Sequence, residues 1–192
     1  YSLLSAIEHF KKYDLTIFDI KHVPIHAGSI RFYVAKKNSN RAKVISENVK
    51  LLEKEEKLKA YNKFESFKLF SKKVEDTKKK LIELLKKLKK EGKTVAGYGA
   101  SGRANTIIQN CEITNDLVSY MIDDAPAKVG CYTPGSHLEI LSSSVLNGDN
   151  APDYVLVFAW SFFDEIVKRN KQFIESGGKM IVPLPEVKVI SF

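Results

Sequence analysis

The chain has 192 residues, 44% hydrophobic and 28% charged, which suits one or two globular units and excludes a disordered or fibrous polypeptide. No run approaches the ~18 apolar residues of a membrane span, and Tyr1-Ser2-Leu3-Leu4 lacks the charged start and cleavage site of a leader, so a cytoplasmic chain without a membrane partner is expected. The net charge of +8 is unevenly placed: six Lys/Arg against three Asp/Glu in 1–37, seventeen against nine in 38–92, and eight against eleven in 93–192. The excess therefore lies in one Lys-rich stretch with few Arg, the signature of a solvated helix face, and nucleic acid is rejected as a partner.

Leu3, Leu4, Ile7 and Phe10 recur at helical spacing, predicting a short helix over residues 1–13. A chain that opens on Tyr1 inside such a pattern is expected to be a piece of something longer. The period then changes: Thr16–Val23 and Ile30–Ala35 read as two antiparallel strands joined by Pro24-Ile25-His26-Ala27-Gly28-Ser29. Two strands are too few for an independent domain, so the rest of that sheet is expected elsewhere.

From Arg41 to Lys90 the pattern is helical, with an interruption near 55–60. Phe67, Phe70, Val74, Thr77, Leu81, Leu84 and Leu88 form one apolar seam, and a helix over about 58–90 would be roughly 50 Å long. It reads as a connector docked along a globular body, or as an oligomer contact through a coiled coil. Gly92 is the expected stop.

The last hundred residues alternate strands at Thr94–Tyr98, Leu117–Ile122, Tyr154–Phe158 and Lys179–Pro183 with helices over Arg103–Cys111 and Phe162–Ser176. Short apolar runs of this kind suit parallel strands covered on both faces, so the fold class is α/β, a doubly wound, mostly parallel sheet. The predicted organisation is 1–37, helix plus hairpin; 38–92, helical connector; and 93–192, α/β domain. Cys111 and Cys131 fit neither a disulfide framework nor a zinc site, and two reduced, buried thiols are expected.

The strongest local signal is Gly97-Tyr98-Gly99-Ala100-Ser101-Gly102, a GxGxxG turn between a predicted strand and a predicted helix. Glycines allow a tight turn and close approach of a ligand, while the first amides of the helix favour an anion. Asp123 and Asp124 end the next strand about 25 residues on, where a dinucleotide fold puts its ribose-binding acid. No Tyr-xxx-Lys or His/Asp hydride-transfer arrangement follows, which weakens a dehydrogenase reading. A phosphate cradle without redox chemistry, or glycines that merely let strand and helix pack, are the alternatives. Lys128, Pro134 and His137 on the following Pro- and Gly-rich loop, and Trp160 at another strand end, are candidate contacts for the same ligand.

The order Gly97-Tyr98-Gly99-Ala100, Asp123-x-x-Pro126-x-Lys128, Thr133-Pro134-Gly135 and Phe158-Ala159-Trp160 resembles the C-terminal domain of SAM-dependent C-methyltransferases acting on nucleotide-linked deoxysugars. Pro24–Arg31 likewise resembles the Pro-x-His-Gly-Gly-Ser-x-Arg stretch that closes their methyltransferase domain, with Ala27 in place of the first Gly. The resemblance implies that 1–37 is the edge of a class I methyltransferase domain and 93–192 a Rossmann-like nucleotide-sugar domain. It also implies that the SAM loop, the zinc cysteines and the Tyr-x-Glu-His stretch serving proton abstraction lie upstream of Tyr1. The fragment is then expected to bind no cofactor, hold no metal and be catalytically silent alone. Its substrate-binding residues would be Gly97, Tyr98, Gly99, Ala100, Ser101, Gly102, Asp123, Lys128, Pro134, His137 and Trp160. His26 is the one catalytic candidate, the plainer reading being a loop histidine bonded to backbone. Two other functions stay open: a stand-alone module for a phosphorylated ligand or nucleotide-sugar, and an NAD(P)-dependent oxidoreductase domain.

Overall fold

Strands that are buried on both faces need helices on both sides, and the second half of the chain is built this way. The computed structural model describes residues 1–25 and 28–191 and divides into two units, Tyr1–Lys73 and Val74–Phe192. In the second unit, β3 (Val95–Tyr98), β4 (Met121–Ile122), β5 (Ile140–Leu141), β6 (Tyr154–Val157) and β7 (Lys179–Val182) are parallel, and β8 (Lys188–Ile190) pairs antiparallel with β7. The order is β5-β4-β3-β6-β7-β8, so the chain winds outward from β3 in one direction and returns to β6 to wind in the other. This is a Rossmann-like sheet whose switch point lies between β3 and β6.

The period-two alternation sorts side chains between two cores. Val95, Met121, Leu156, Phe158 and Ile181 face Leu81, Leu85 and Leu88 of α3 (Phe64–Lys90) and Ala104 and Ile108 of α4 (Gly102–Asn110). Ala96, Tyr98, Ile122, Val155, Val157 and Met180 face Ile166 of α5 (Phe163–Arg169) and Phe173 and Ile174 of α6 (Lys171–Glu175). Each large side chain so buried contributes about 1.5–3 kcal/mol. Asp153 joins β3 to β6 at their start, accepting from the Thr94 amide at 2.8 Å and from Lys93 at 3.0 Å, and these contacts hold its carboxyl below the usual range.

The first unit contains α1 (Leu3–Lys11), the antiparallel pair β1 (Leu15–Val23) and β2 (Ser29–Lys36), and α2 (Glu47–Leu58). Its core is Leu3, Ala6, Ile17, Ile20 and Val49. Glu56 of α2, only 3% exposed, crosses to α1 and accepts from the amides of Leu3 and Leu4, both at 2.8 Å.

Several expectations are corrected. The helical stretch expected from Arg41 opens only as a 3-10 turn over Asn40–Lys43 and becomes α2 at Glu47; its interruption falls where α2 ends at Leu58 and Ala60 adopts φ 54, and α3 starts at Phe64, with the Ser66 hydroxyl bound to the Ala60 carbonyl at 2.7 Å. The strand foreseen over 117–122 shortens to Met121–Ile122, although Ser119 already donates to Val95 and Tyr120 accepts from Gly97. The helix foreseen over 162–176 divides at Asn170, whose side chain takes the Ile166 carbonyl at 2.8 Å and competes with the helical ladder. β5 and β8 were missed because two or three residues carry no readable period. Of the two thiols, Cys111 is buried but Cys131 is exposed. Along α3, Leu81, Leu85 and Leu88 are buried, while Phe67 and Phe70 are exposed. Among the described residues no helix is long and apolar enough to cross a membrane.

Candidate functional site

The mouth of the sheet lies where β3, β4 and β6 end together. Three glycines of the turn there do three different things. A Cβ on Gly97 would fall 2.8 Å from the Phe158 ring and nearer still to Met121 Sδ, so this glycine makes room for the core. Gly99 has φ +94, and a Cβ there would lie 2.8 Å from that of Ala159, so this glycine lets β3 and β6 approach at the switch point. Gly102 has nothing within 4 Å of where its Cβ would stand. Packing explains the first two and leaves the third open to solvent at the first residue of α4.

Ser101 caps α4, its hydroxyl accepting from the Ala104 amide at 3.3 Å. The amides of Gly102 and Arg103 precede the first bonds of the helix and point, with its positive end, out of the mouth. The Arg103 guanidinium sits 5.5 Å over the Trp160 ring, which places a cation and a flat apolar surface beside those amides. Asn105 Oδ1 and Ser161 Oγ, on the two elements flanking the mouth, are buried without a hydrogen-bond partner.

The loop after β4 folds back on the turn. Lys128 donates to the Ala100 carbonyl and to Asp123, both at 2.9 Å, and Asp123 also accepts from the Ala125 amide. Asp124 takes the Tyr98 hydroxyl at 2.9 Å and Arg169 at 3.3 Å. Each aspartate therefore has its own cation, and the mouth does not carry a bare double negative charge. A recess of about 280 Å³ opens on this side, between Tyr98, Asp124, Phe162 and Arg169.

Gly97 to Gly102, Asp123, Lys128 and Trp160 are thus brought together. Pro134 and His137 are not. The Pro134 carbonyl accepts from Gln109 at 3.3 Å, seven residues along α4 from Gly102 and roughly 10 Å from it. His137 is exposed with φ 51 on the same turn. His26 and Ala27 lie outside the described residues. Arg103, Asn105, Ser161 and Arg169 carry no motif of their own; Arg103 and Asn105 reach the mouth in the first turn of α4, Ser161 follows Trp160, and Arg169 arrives through its pairing with Asp124. Among the described residues no cluster of metal-ligating side chains occurs.

Burial pushes the Tyr98 phenol up from 10.0 to about 12, and the Asp124 carboxylate adds to the shift. Between those values the native state keeps a proton that the unfolded chain sheds, so stability falls as pH rises through this window. The contribution is about 2 kcal/mol, present below pH 10 and lost by about pH 12. Urea titrations at about pH 9 and about pH 11.5 are expected to show this loss in the natural chain and a smaller one in Tyr98→Phe. Equal losses would separate Tyr98 from the alkaline transition.

The sequence pattern of the C-methyltransferase C-terminal domain family matches residues 24–185. The chain belongs to this family. It is also 30% identical over 191 residues to the C-methyltransferase NovU of Streptomyces niveus, an alignment that covers all of this chain and 45% of that protein. The chain thus spans less than half the length of this curated relative, and the match falls in its C-terminal part. For a C-methyltransferase C-terminal domain, the matched segment runs through both units and includes every residue of the mouth described above.

Proposed function

We propose that the chain is the C-terminal part of a SAM-dependent C-methyltransferase acting on a nucleotide-linked keto-deoxysugar, and that its α/β unit holds the nucleotide-sugar. The observation that carries this reading is Gly102, open at the start of α4 while Gly97 and Gly99 are filled by packing. A diphosphate there would meet the amides of Gly102 and Arg103 and the Arg103 charge, with Trp160 offering a flat apolar surface. Pairing of Asp123 with Lys128 and of Asp124 with Arg169 lowers the repulsion that an anion would otherwise meet.

SAM, when bound, supplies an electrophilic methyl group on a sulfonium, with a neutral thioether as the leaving group. The mouth does not fit it. The acids at the end of β4, which would have to accept a ribose diol, are already engaged by Lys128, Tyr98 and Arg169. We place the SAM site, and the base that removes the proton beside the keto group, in polypeptide upstream of Tyr1. The role of this chain is then to hold the sugar where donor and base converge.

A dTDP-, GDP- or CDP-sugar at about one hundred times its Kd is expected to raise the Tm of the α/β unit by about 5 °C or more. Gly102→Val, which meets open space and costs less than about 1 kcal/mol in the fold, is expected to abolish the shift while keeping the unliganded Tm. Gly99→Val is the wrong variant for this purpose, because it strikes Ala159. Equal shifts in the natural chain and Gly102→Val would remove the α4 start from the site. Stabilisation by SAM instead would return the cofactor to this chain, and stabilisation by NADH would favour an oxidoreductase.

A further inference from the structure

The first unit is under-filled. Among the described residues it buries five hydrophobic side chains, against twenty-five in the second. Its sheet has two strands, which with two helices do not close a core of ordinary size. It also carries exposed aromatic surface: Phe67 and Phe70 at the start of α3 keep 61% and 65% of their area in solvent. A groove of about 950 Å³ lies beside them, lined by Tyr1, Leu4, Ile7, Tyr61, Phe67 and Phe70. An apolar surface of this kind marks an interface.

We infer that this groove between α1 and the start of α3 is the seat of the methyltransferase polypeptide that precedes Tyr1, which covers Phe67 and Phe70. The inference rests on reading the chain as the C-terminal part of a longer enzyme. Three observations select this occupant. NovU extends well beyond the region that this chain matches, so a covering partner is encoded in the same polypeptide. Tyr1 itself forms part of the groove wall, so residues joined to its nitrogen emerge there, tethered at high effective concentration. A second copy is a poor occupant: the seam that starts at Phe67, Phe70 and Val74 continues into Leu81, Leu85 and Leu88, which this chain already uses in its own core. The unused part, from Phe67 to Val74, is only about 10 Å long, far short of the three to four heptads that a coiled coil needs.

The test is thiol labelling of Phe67→Cys and Phe70→Cys, with each cysteine read separately by peptide mass. The exposed Cys131 serves as the internal reference. In residues 1–192 the new thiols are expected to react with maleimide at a rate close to that of Cys131. In the intact gene product they are expected to slow by about tenfold or more relative to Cys131. Equal rates in both proteins overturn the inference. So does protection already present in residues 1–192 that grows with concentration, which would assign the groove to a second copy. A gene that encodes nothing ahead of Tyr1 overturns it as well. Labelling as expected in a protein that fails to bind nucleotide-sugars would leave the interface standing and remove only the substrate reading.

Discussion

Gly97→Val is expected to destabilise the α/β unit by about 3–4 kcal/mol, whereas Gly102→Ala, five residues along the same turn, leaves stability within about 0.5 kcal/mol of the natural chain. The contrast follows from what surrounds each position. Gly97 lies in the middle of a strand buried at every residue, and a side chain there is driven into Met121 and Phe158, both at 0% exposure. The thioether end of Met121 and the Phe158 ring can give way only by pushing into the packed core cluster that both belong to. Gly102 has no neighbour to displace. Trp160 is the single tryptophan and belongs to this unit, so denaturant unfolding followed by its fluorescence reads the effect directly. A Gly97→Val protein as stable as the natural one would mean that β3 and β4 do not pack as described.

Glu56→Ala is expected to cost about 3 kcal/mol in the first unit. Its carboxylate accepts two amide protons at 2.8 Å, in the first turn of α1, from a position 53 residues away. Bonds to a charged group are worth about 1.5–3 kcal/mol each, and a negative charge at that end of a helix adds the helix dipole. Alanine leaves the Leu3 amide buried without a partner, since Leu3 is 0% exposed. Glu56→Gln keeps one acceptor oxygen and is expected to lose about half as much. Amide exchange at Leu3 and Leu4 reports the change, accelerating in Glu56→Ala and less so in Glu56→Gln. Unchanged exchange in both would show that Ser2, which forms a capping box with Ser5, suffices to hold the end of α1.

The alternation of strand and helix after Gly92, the glycine turn and the amphipathic face of α3 were all legible in the sequence because each is a local period or a local backbone requirement. The doubly wound sheet followed from them. What was not legible is tertiary. Nothing local to Glu56 says that it caps a helix at Leu3 and Leu4, and nothing local to Gly99 says that Ala159 stands against it. The break at Asn170 depends on a side chain that prefers the Ile166 carbonyl to solvent, a choice made by its burial. In the candidate site, the sequence offers Lys128 only as a ligand contact on the loop after β4; that its ammonium binds Ala100 and Asp123 is visible only in the fold. Arg103 over Trp160 and Arg169 on Asp124 join residues 57 and 45 positions apart, a distance that no spacing rule covers. Pro134 and His137 share a loop with Lys128, which groups them with the turn in the sequence, but that loop runs on to the far end of α4.

The account depends on the open start of α4 receiving the anionic part of a nucleotide-sugar. The most direct measurement is an amide chemical-shift titration of residues 1–192 with a nucleoside-diphosphate sugar. Saturable shifts are expected to be largest at Gly102 and Arg103, followed by Ala104 and the Trp160 indole, and to vanish in Gly102→Val. Shifts centred instead on the Thr133–Leu138 turn, or no saturable shift anywhere in the α/β unit, would contradict it.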